Sequence, residues 1–169
     1  MGAYNNALFW GGSNSIDCGV MMTYKAIIEK WHLIVDAESK DNGLEPSLVY
    51  AVIMQESSGL EQAKSPCGCI GLMQIMPTAA LVDYNVKHRT KIVGEELYIP
   101  SVNVMVGTWY LAWLIQRLGG VFDALRAYNV GIGTVKKGKT LFGSDGTKYA
   151  KSVLDHEQQF ILLLSPEST

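Results

Sequence analysis

Glu56 is the acidic residue whose neighbours in the sequence best fit acid–base chemistry. It lies near the end of the segment Pro46–Ser57, which is apolar on nearly every side, so we expect a helix that runs through the core. Leu48, Val52 and Glu56 stand at i, i+4 and i+8, which places the carboxyl group on an apolar face. Because burial raises the pKa of a carboxyl group, Glu56 could stay protonated near neutral pH and protonate a leaving-group oxygen. The alternative is a surface glutamate at a helix end.

The three cysteines form a second group of reactive side chains. Cys67 and Cys69 are too close in sequence for a relaxed disulfide, so Cys18 paired with either of them and three reduced thiols are the alternatives that stay open. A Cys-x-Cys pair can also bind metal, but no histidine stands at a ligand spacing from it. We therefore predict no metal site; the three histidines are His32, His88 and His156.

The elements that must position these residues are helices, because the apolar residues recur with a helical period and long alternating runs are absent. We predict helices over residues 22–39, 46–57, 101–118, 121–128 and 145–164, and a short one that begins at Pro77. Gly59 suits the end of the second helix. Residues 84–99 show a mixed pattern, and residues 64–71 and 131–146 are predicted loops. Since no linker or repeat divides the chain, residues 1–169 are predicted to form one all-α domain.

Composition excludes several classes of protein. The 169 residues are 48% hydrophobic and 18% charged, which fits a domain with a core rather than a disordered regulator. A net charge of −2 gives no basic surface for nucleic acid, and the lysines of residues 136–139 are interpreted as a solvated loop. No apolar run approaches the length of a transmembrane helix, and the N-terminus lacks the pattern of a signal peptide. We expect a monomer.

Several motifs, in order, resemble those of the soluble lytic transglycosylases, a family with a lysozyme-like fold that is related to goose-type lysozymes. They are residues 51–57 (AVIMQES) with 63–66 (AKSP), 71–77 (GLMQIMP) and 127–129 (AYN). The motif-bearing region covers about residues 44–155. The resemblance implies an all-α, lysozyme-like domain with an active-site groove, and the glycan strands of bacterial peptidoglycan as its partner. It also implies action in the periplasm or cell envelope, after export by a route that the sequence does not specify.

The resemblance assigns roles to individual residues. Glu56 matches the catalytic acid/base, and Ser65 matches a loop serine that orients the substrate or the glutamate. Tyr128 matches a tyrosine beside the glutamate. The residues expected to bind the glycan are Ser65, Met73, Gln74, Met76, Asn103, Tyr128, Asn129 and Tyr149. For the two methionines, ordinary core packing is an equal alternative. Cys69 stands where the family usually has alanine, which is a departure in the same loop.

No second acidic residue occupies a motif position, since Asp83 and Asp123 are more simply surface charges on helices. The resemblance implies a mechanism that uses one carboxyl group and no cofactor. Glu56 protonates the oxygen that links N-acetylmuramic acid to N-acetylglucosamine, the acetamido group stabilises the anomeric carbon, and the C6 hydroxyl attacks to give a 1,6-anhydromuramoyl end. The alternatives are a hydrolase of the same fold and a weakly active peptidoglycan-binding component of a secretion or phage-tail assembly.

Overall fold

The structure, a computed structural model, describes residues 18–141 and 143–165, with the side chains of residue 23 onward. Within that part of the chain, seven α-helices and one 3₁₀ helix follow one another, and β pairing is limited to isolated bridges in loops. The predicted all-α class is confirmed. The helices are α1 (Cys18–Asn42), α2 (Pro46–Ser57), α3 (Ala80–His88), α4 (Pro100–Leu118), α5 (Val121–Val130), α6 (Ile132–Lys136) and α7 (Thr147–Leu164), and the 3₁₀ helix is Gly94–Tyr98.

Helix α2 passes through the core, as its apolar sequence predicts. Pro46 occupies its first turn, where the missing N–H would have had no helical partner. Residues 49–53 have no exposed surface. The helix packs against α1 and most extensively against α7, where the rings of Tyr50 and Phe160 lie 5.3 Å apart between centroids. This packing fixes the direction in which the end of α2 points.

Helix α4 is the second helix that organises the core. Pro100 lies in its first turn, and Gly119 ends it in the left-handed conformation with a φ of 76°, which glycine adopts without steric cost. The helix contacts α1, α3 and α5 and also the 3₁₀ helix. The centre of the domain is therefore built around two helices, α2 and α4.

Several predicted helix ends differ from the structure by a few residues, and three features of these ends show why. Helix α1 extends to Asn42 and closes with a bond of 2.9 Å from the Leu44 N–H to the Ser39 carbonyl. Ser58, rather than the predicted Gly59, takes the left-handed position that ends α2, with a φ of 52°. Helix α3 begins at Ala80 instead of Pro77. The apolar pattern locates each helix, but the first and last turns depend on local hydrogen bonds that it does not encode.

The predicted loop over residues 131–146 is wrong in one respect, because it contains the short helix α6. Helix α6 packs against α5. This contact stabilises a helix that is too short to be stable alone. Within the described ranges, no helix is both long enough and apolar enough to cross a membrane. The side chain of Cys18 lies outside the described residues, and its predicted pairing with Cys67 or Cys69 stays a prediction.

Candidate active site

Glu56 lies in the last turn of α2, partly buried, with its carboxyl group against α7. The hydroxyl group of Tyr149 donates a hydrogen bond of 2.7 Å to Glu56 Oε1. Burial raises the pKa of Glu56 to about 7, and the Tyr149 hydrogen bond acts in the opposite direction because it favours the charged form. The carboxyl group is therefore poised between its acid and base forms near neutral pH, while it keeps enough exposed surface to meet a ligand.

Tyr149 and Ser152 attach the end of α2 to the start of α7. Tyr149 binds Glu56, and one turn later Ser152 Oγ donates a hydrogen bond of 2.5 Å to Gln55 Oε1. Burial, followed by the nearby charge of Glu56, raises the pKa of Tyr149 well above its usual value, so its hydroxyl group stays a donor. Two consecutive residues of α2 are thus held by two residues on one face of α7.

Tyr128 approaches the same carboxyl group from α5 but uses its hydroxyl group elsewhere. Its Oη donates a hydrogen bond of 2.8 Å to the carbonyl oxygen of Met73. Burial, followed by the charge of Glu56, raises the pKa of Tyr128 well above its usual value. Tyr128 is therefore close enough to Glu56 for its pKa to depend on that charge, and its hydroxyl group fastens the loop that carries Met73.

That loop, residues 63–76, folds back on itself through backbone hydrogen bonds. Gly71 N–H bonds to the carbonyl of Ala63 at 2.8 Å, and Ile70 and Ile75 exchange bonds of 3.0 and 2.9 Å. We call this segment the catalytic loop. It presents its residues to the end of α2 without any regular strand. The predicted loop over residues 64–71 is therefore confirmed as a loop, and it forms the first part of this hydrogen-bonded segment.

Ser65 and Gln74 are both engaged within the catalytic loop. Ser65 Oγ accepts a hydrogen bond of 3.0 Å from the Cys69 N–H. Gln74 has the left-handed backbone conformation, with a φ of 49°, and its Nε2 donates to the carbonyls of Ala63 and Gly71 at 3.2 and 2.9 Å. These bonds occupy the donor end of the Gln74 amide and orient its Oε1 acceptor. The predicted contacts of both residues with a glycan stay predictions.

Asn103 belongs to the framework of the site, and the prediction that it contacts the glycan is wrong. Its side chain has no exposed surface. Oδ1 accepts a hydrogen bond of 2.8 Å from the Met73 N–H, and Nδ2 donates to the carbonyls of Ile70 and Leu97, both at 2.8 Å. Two of these bonds hold the catalytic loop on α4, and the third holds the 3₁₀ helix.

Met73 also serves the framework through its side chain. It is completely buried and packs on Gly107 of α4, where an added Cβ atom would lie 2.4 Å from the Met73 sulfur. Of the two alternatives, core packing is correct for Met73, and its predicted side-chain contact with the glycan is wrong. Met76 at 36% exposure and the exposed Asn129 stay predicted glycan contacts.

Two further residues belong to the framework: Ser57, whose role was not predicted from the sequence, and Gly71, which the sequence predicts as a tight turn where the backbone passes close by. Ser57 Oγ donates a hydrogen bond of 2.8 Å to the carbonyl of Leu72 and accepts one of 3.2 Å from the Gly59 N–H, which joins the end of α2 to the catalytic loop. Gly71 has a φ of 79°, and a Cβ atom there would lie 2.2 Å from Asn103 Nδ2. Both residues lie inside the sequence motifs, and that position was the signal that could have revealed their structural roles.

The other acidic candidates are surface residues, as expected. Asp83 is exposed on α3, and Asp123 pairs with Arg126 at 2.9 Å. Among the described residues, no three side chains of His, Cys, Asp or Glu come close enough together to hold a metal ion. Cys69 lies near Glu56, and burial raises the pKa of its thiol. The arrangement offers a single carboxyl group that can give and take one proton.

Comparison with known proteins agrees with this geometry. The chain is 34% identical to membrane-bound lytic murein transglycosylase E of Buchnera aphidicola, over 55% of this chain and 43% of that protein. It is 35% identical to the transglycosylase of Enterobacteria phage PRD1, over 60% and 35% of the two chains. The structure of an inactive mutant of lytic transglycosylase Slt from Pseudomonas aeruginosa superimposes with a TM-score of 0.69 and 26% identity, covering 81% of this chain and 25% of that one.

These relatives are longer proteins, since the chain spans less than half the length of each. Residues 33–151, most of the chain, match the family described as transglycosylase SLT domain. The matched residues include α2 with Glu56, the catalytic loop, and the tyrosines of α5 and α7. The chain therefore belongs to the transglycosylase SLT domain family.

Proposed function

We propose that this chain cleaves the glycan strands of peptidoglycan between N-acetylmuramic acid and N-acetylglucosamine, and leaves 1,6-anhydromuramoyl ends. The observation that carries the proposal is a partly buried Glu56 whose pKa is raised to about 7, while the other acidic candidates, Asp83 and Asp123, are surface residues. The Glu56 carboxyl group can act in turn as acid and base. Hydrolases of this general type commonly need a second carboxylate to activate water.

In the first step, the protonated Glu56 donates its proton to the glycosidic oxygen as the bond from that oxygen to the anomeric carbon breaks. The acetamido carbonyl oxygen of the muramoyl residue stabilises the positive charge that develops at the anomeric carbon. The Tyr149 hydrogen bond at 2.7 Å favours the carboxylate that Glu56 becomes in this step. Tyr149 therefore assists proton release and keeps the carboxyl group in one orientation.

In the second step, the Glu56 carboxylate takes the proton from the muramoyl C6 hydroxyl group as its oxygen bonds to the anomeric carbon. Glu56 is protonated again at the end, and no water is consumed. The nucleophile belongs to the sugar that is already bound, so the step gains from proximity. The firm attachment of the catalytic loop to α4 through Asn103 supports a fixed position for that sugar.

The names of the relatives support the same substrate. Two of them are described as murein and phage transglycosylases, and murein is the peptidoglycan that our mechanism requires. Because the substrate is the cell wall, we place the activity in the bacterial envelope, in agreement with the membrane-bound relative.

The test is to digest purified peptidoglycan and to weigh the released muropeptides by mass spectrometry. We expect products lighter by one water than those of a hydrolase, and we expect Glu56→Gln to release none. Glu95→Gln is the matched control, since Glu95 is an exposed glutamate on the 3₁₀ helix. Products with ordinary reducing ends would show that water is the acceptor. Release of anhydro products by Glu56→Gln at the normal rate would remove Glu56 from the mechanism.

A further inference from the structure

Positive charge is concentrated at one end of the fold, where α5 ends and α7 begins. Residues 131–151 contain five lysines and one aspartate, which gives this segment a net charge of +4. Because the whole chain carries −2, the remaining residues carry −6. The near balance of the total therefore conceals a basic segment on an otherwise acidic protein. We call its lysines the basic face: Lys136, Lys137, Lys139, Lys148 and Lys151.

Both ends of the segment are fastened to the last turns of α5. The Gly131 N–H donates a hydrogen bond of 2.7 Å to the carbonyl of Ala127. Arg126 Nε donates one of 3.0 Å to the carbonyl of Asp145. Residues 132–144 thus leave α5 and return to it, so the lysines that they carry stay near the first turn of α7.

The lysines of the basic face are exposed, and the protein does not neutralise their charges. All five are exposed residues, and none of them forms an ion pair within the part of the chain that the structure describes. Asp145 is the one acidic residue of the segment, and its carboxylate binds Arg126 at 3.6 Å and the Thr147 N–H at 2.9 Å. The field of the lysines therefore acts on an anionic surface that approaches from the solvent.

An exposed leucine accompanies the lysines. Leu141 is 41% exposed, in a turn where its N–H and carbonyl form hydrogen bonds of 2.7 and 2.9 Å with Ser144. Lysines beside an exposed apolar side chain are typical of segments that bind at a membrane surface. The lysines there attract anionic head groups, and the apolar side chain enters the boundary with the acyl chains. A small soluble anion would have no use for the leucine.

We propose that the basic face docks this protein on the surface of an anionic lipid bilayer. Clusters of about four to eight lysines or arginines are typical of segments that bind anionic lipid. The acidic remainder of the chain is repelled by the same surface, so the docked protein has one orientation, with the lysines towards the lipid. Since Lys148 directly precedes Tyr149, the partner of Glu56, docking holds the active site near the bilayer. This attachment is independent of the cleavage reaction and goes beyond it.

Solvation of the domain is the competing role for these lysines, and it makes a different prediction. Lysines that only keep the protein in solution bind no vesicle. A weak attraction that depended on net charge alone would fall equally wherever three lysines were removed. For a docking face, the position of the removed lysines decides the result.

The test is cosedimentation of the chain with phosphatidylcholine vesicles that contain about 30% phosphatidylglycerol, and with vesicles of phosphatidylcholine alone. We expect binding to the anionic vesicles only. This binding should disappear at about 1 M salt, where the Debye length falls to about 3 Å. Replacing Lys136, Lys137 and Lys139 together by glutamine should weaken binding roughly a hundredfold, or about fivefold for each charge.

The control for net charge replaces three exposed lysines of α1 by glutamine, namely Lys25, Lys30 and Lys40. It removes the same charge from a helix that carries no part of the basic face, and vesicle binding should stay close to that of the wild type. Leu141→Ser should weaken binding several-fold, because less apolar surface enters the bilayer. Soluble glycerol phosphate at matched ionic strength offers the phosphate without the bilayer and should not compete.

Absence of binding to the anionic vesicles, or equal weakening by the two lysine triples, would overturn the proposal. Competition by glycerol phosphate at matched ionic strength would show a site for free phosphate instead. Absence of vesicle binding, together with weaker binding of the basic-face variant to purified peptidoglycan, would assign these lysines to the wall and reject the bilayer. The proposed function is judged separately by the muropeptide products, which are measured without lipid.

Discussion

Replacing Glu56 by glutamine converts an ionisable group in the active site into an uncharged one of nearly the same shape. The glutamine oxygen can still accept the Tyr149 hydrogen bond, which is 2.7 Å long in the structure. The substitution therefore removes the titration and keeps most of the packing. Its effect on stability should depend on pH in a way that follows from the pKa of Glu56.

The sign and the size follow from linkage between protonation and folding. Burial raises the pKa of Glu56 from 4.5 to about 7, so the folded protein holds this proton more tightly than the unfolded chain does. The stabilisation is complete below pH 4.5 and is lost as the pH rises through the folded pKa. A difference of about 2.5 pKa units corresponds to about 3 kcal/mol of unfolding free energy. The partial exposure of Glu56 makes this an upper value.

The unfolding free energies of both proteins are measured by urea denaturation between pH 4 and pH 8, roughly at one-unit steps. The unfolding free energy of Glu56→Gln minus that of the wild type should increase by about 3 kcal/mol over this interval. Other titrating groups contribute to both proteins and cancel in the difference. Glu95→Gln, at an exposed position, is the matched control. A flat line for Glu56→Gln would refute the reasoning, since it would mean that Glu56 titrates as an ordinary surface carboxyl group.

Three other predictions concern the hydrogen bonds and the packing of the residues around Glu56. Tyr149→Phe removes the donor that favours charged Glu56, so the pKa of Glu56 should rise by about one unit or more; the alkaline limb of the kcat/KM profile should move to higher pH, and an unmoved limb would contradict the role given to Tyr149. Asn103→Ala removes the hydrogen-bond partner of the buried Met73 N–H and one hydrogen bond each from the carbonyls of Ile70 and Leu97, although Ile70 keeps its bond from the Ile75 N–H. The unfolding free energy should fall by about 2 kcal/mol or more, and a urea midpoint close to that of the wild type would count against this prediction. Gly71→Ala places a Cβ atom 2.5 Å from the Leu97 carbonyl oxygen at a φ of 79° and should reduce glycan cleavage more than tenfold, whereas full activity in the muropeptide assay would show that the catalytic loop tolerates displacement.

The helices could be predicted where the local sequence determines them. Pro46 and the apolar run after it specify a buried helix, and the position of Glu56 on its apolar face predicts the raised pKa. The motif residues located the catalytic loop and both tyrosines. The buried helix and the raised pKa depend on periodicity and on residues that are neighbours in the chain, whereas the loop and the tyrosines were assigned through the resemblance to a family.

The roles within the site could not be predicted in the same way, because they depend on contacts between distant residues. Asn103 reaches Ile70 across 33 positions, and an asparagine in a helix does not reveal which side it faces. The two tyrosines are alike in sequence, yet Tyr149 binds the carboxyl group and Tyr128 binds a backbone carbonyl. Only the packing of α5 and α7 on the core decides which hydroxyl group reaches which acceptor.

The 93 positions that separate Glu56 from Tyr149 have a consequence for how activity can be lost. Helix α2 carries the acid, but the hydroxyl group that orients it arrives with α7, whose contact with α2 is the most extensive in the fold. Proteins open in cooperative units at free energies below that of global unfolding. If α7 detaches as such a unit, the carboxyl group of Glu56 regains water, its pKa falls towards that of a free glutamate, and the proposed cleavage stops. Amide hydrogen exchange along α7 then measures how often Glu56 loses its Tyr149 partner at equilibrium.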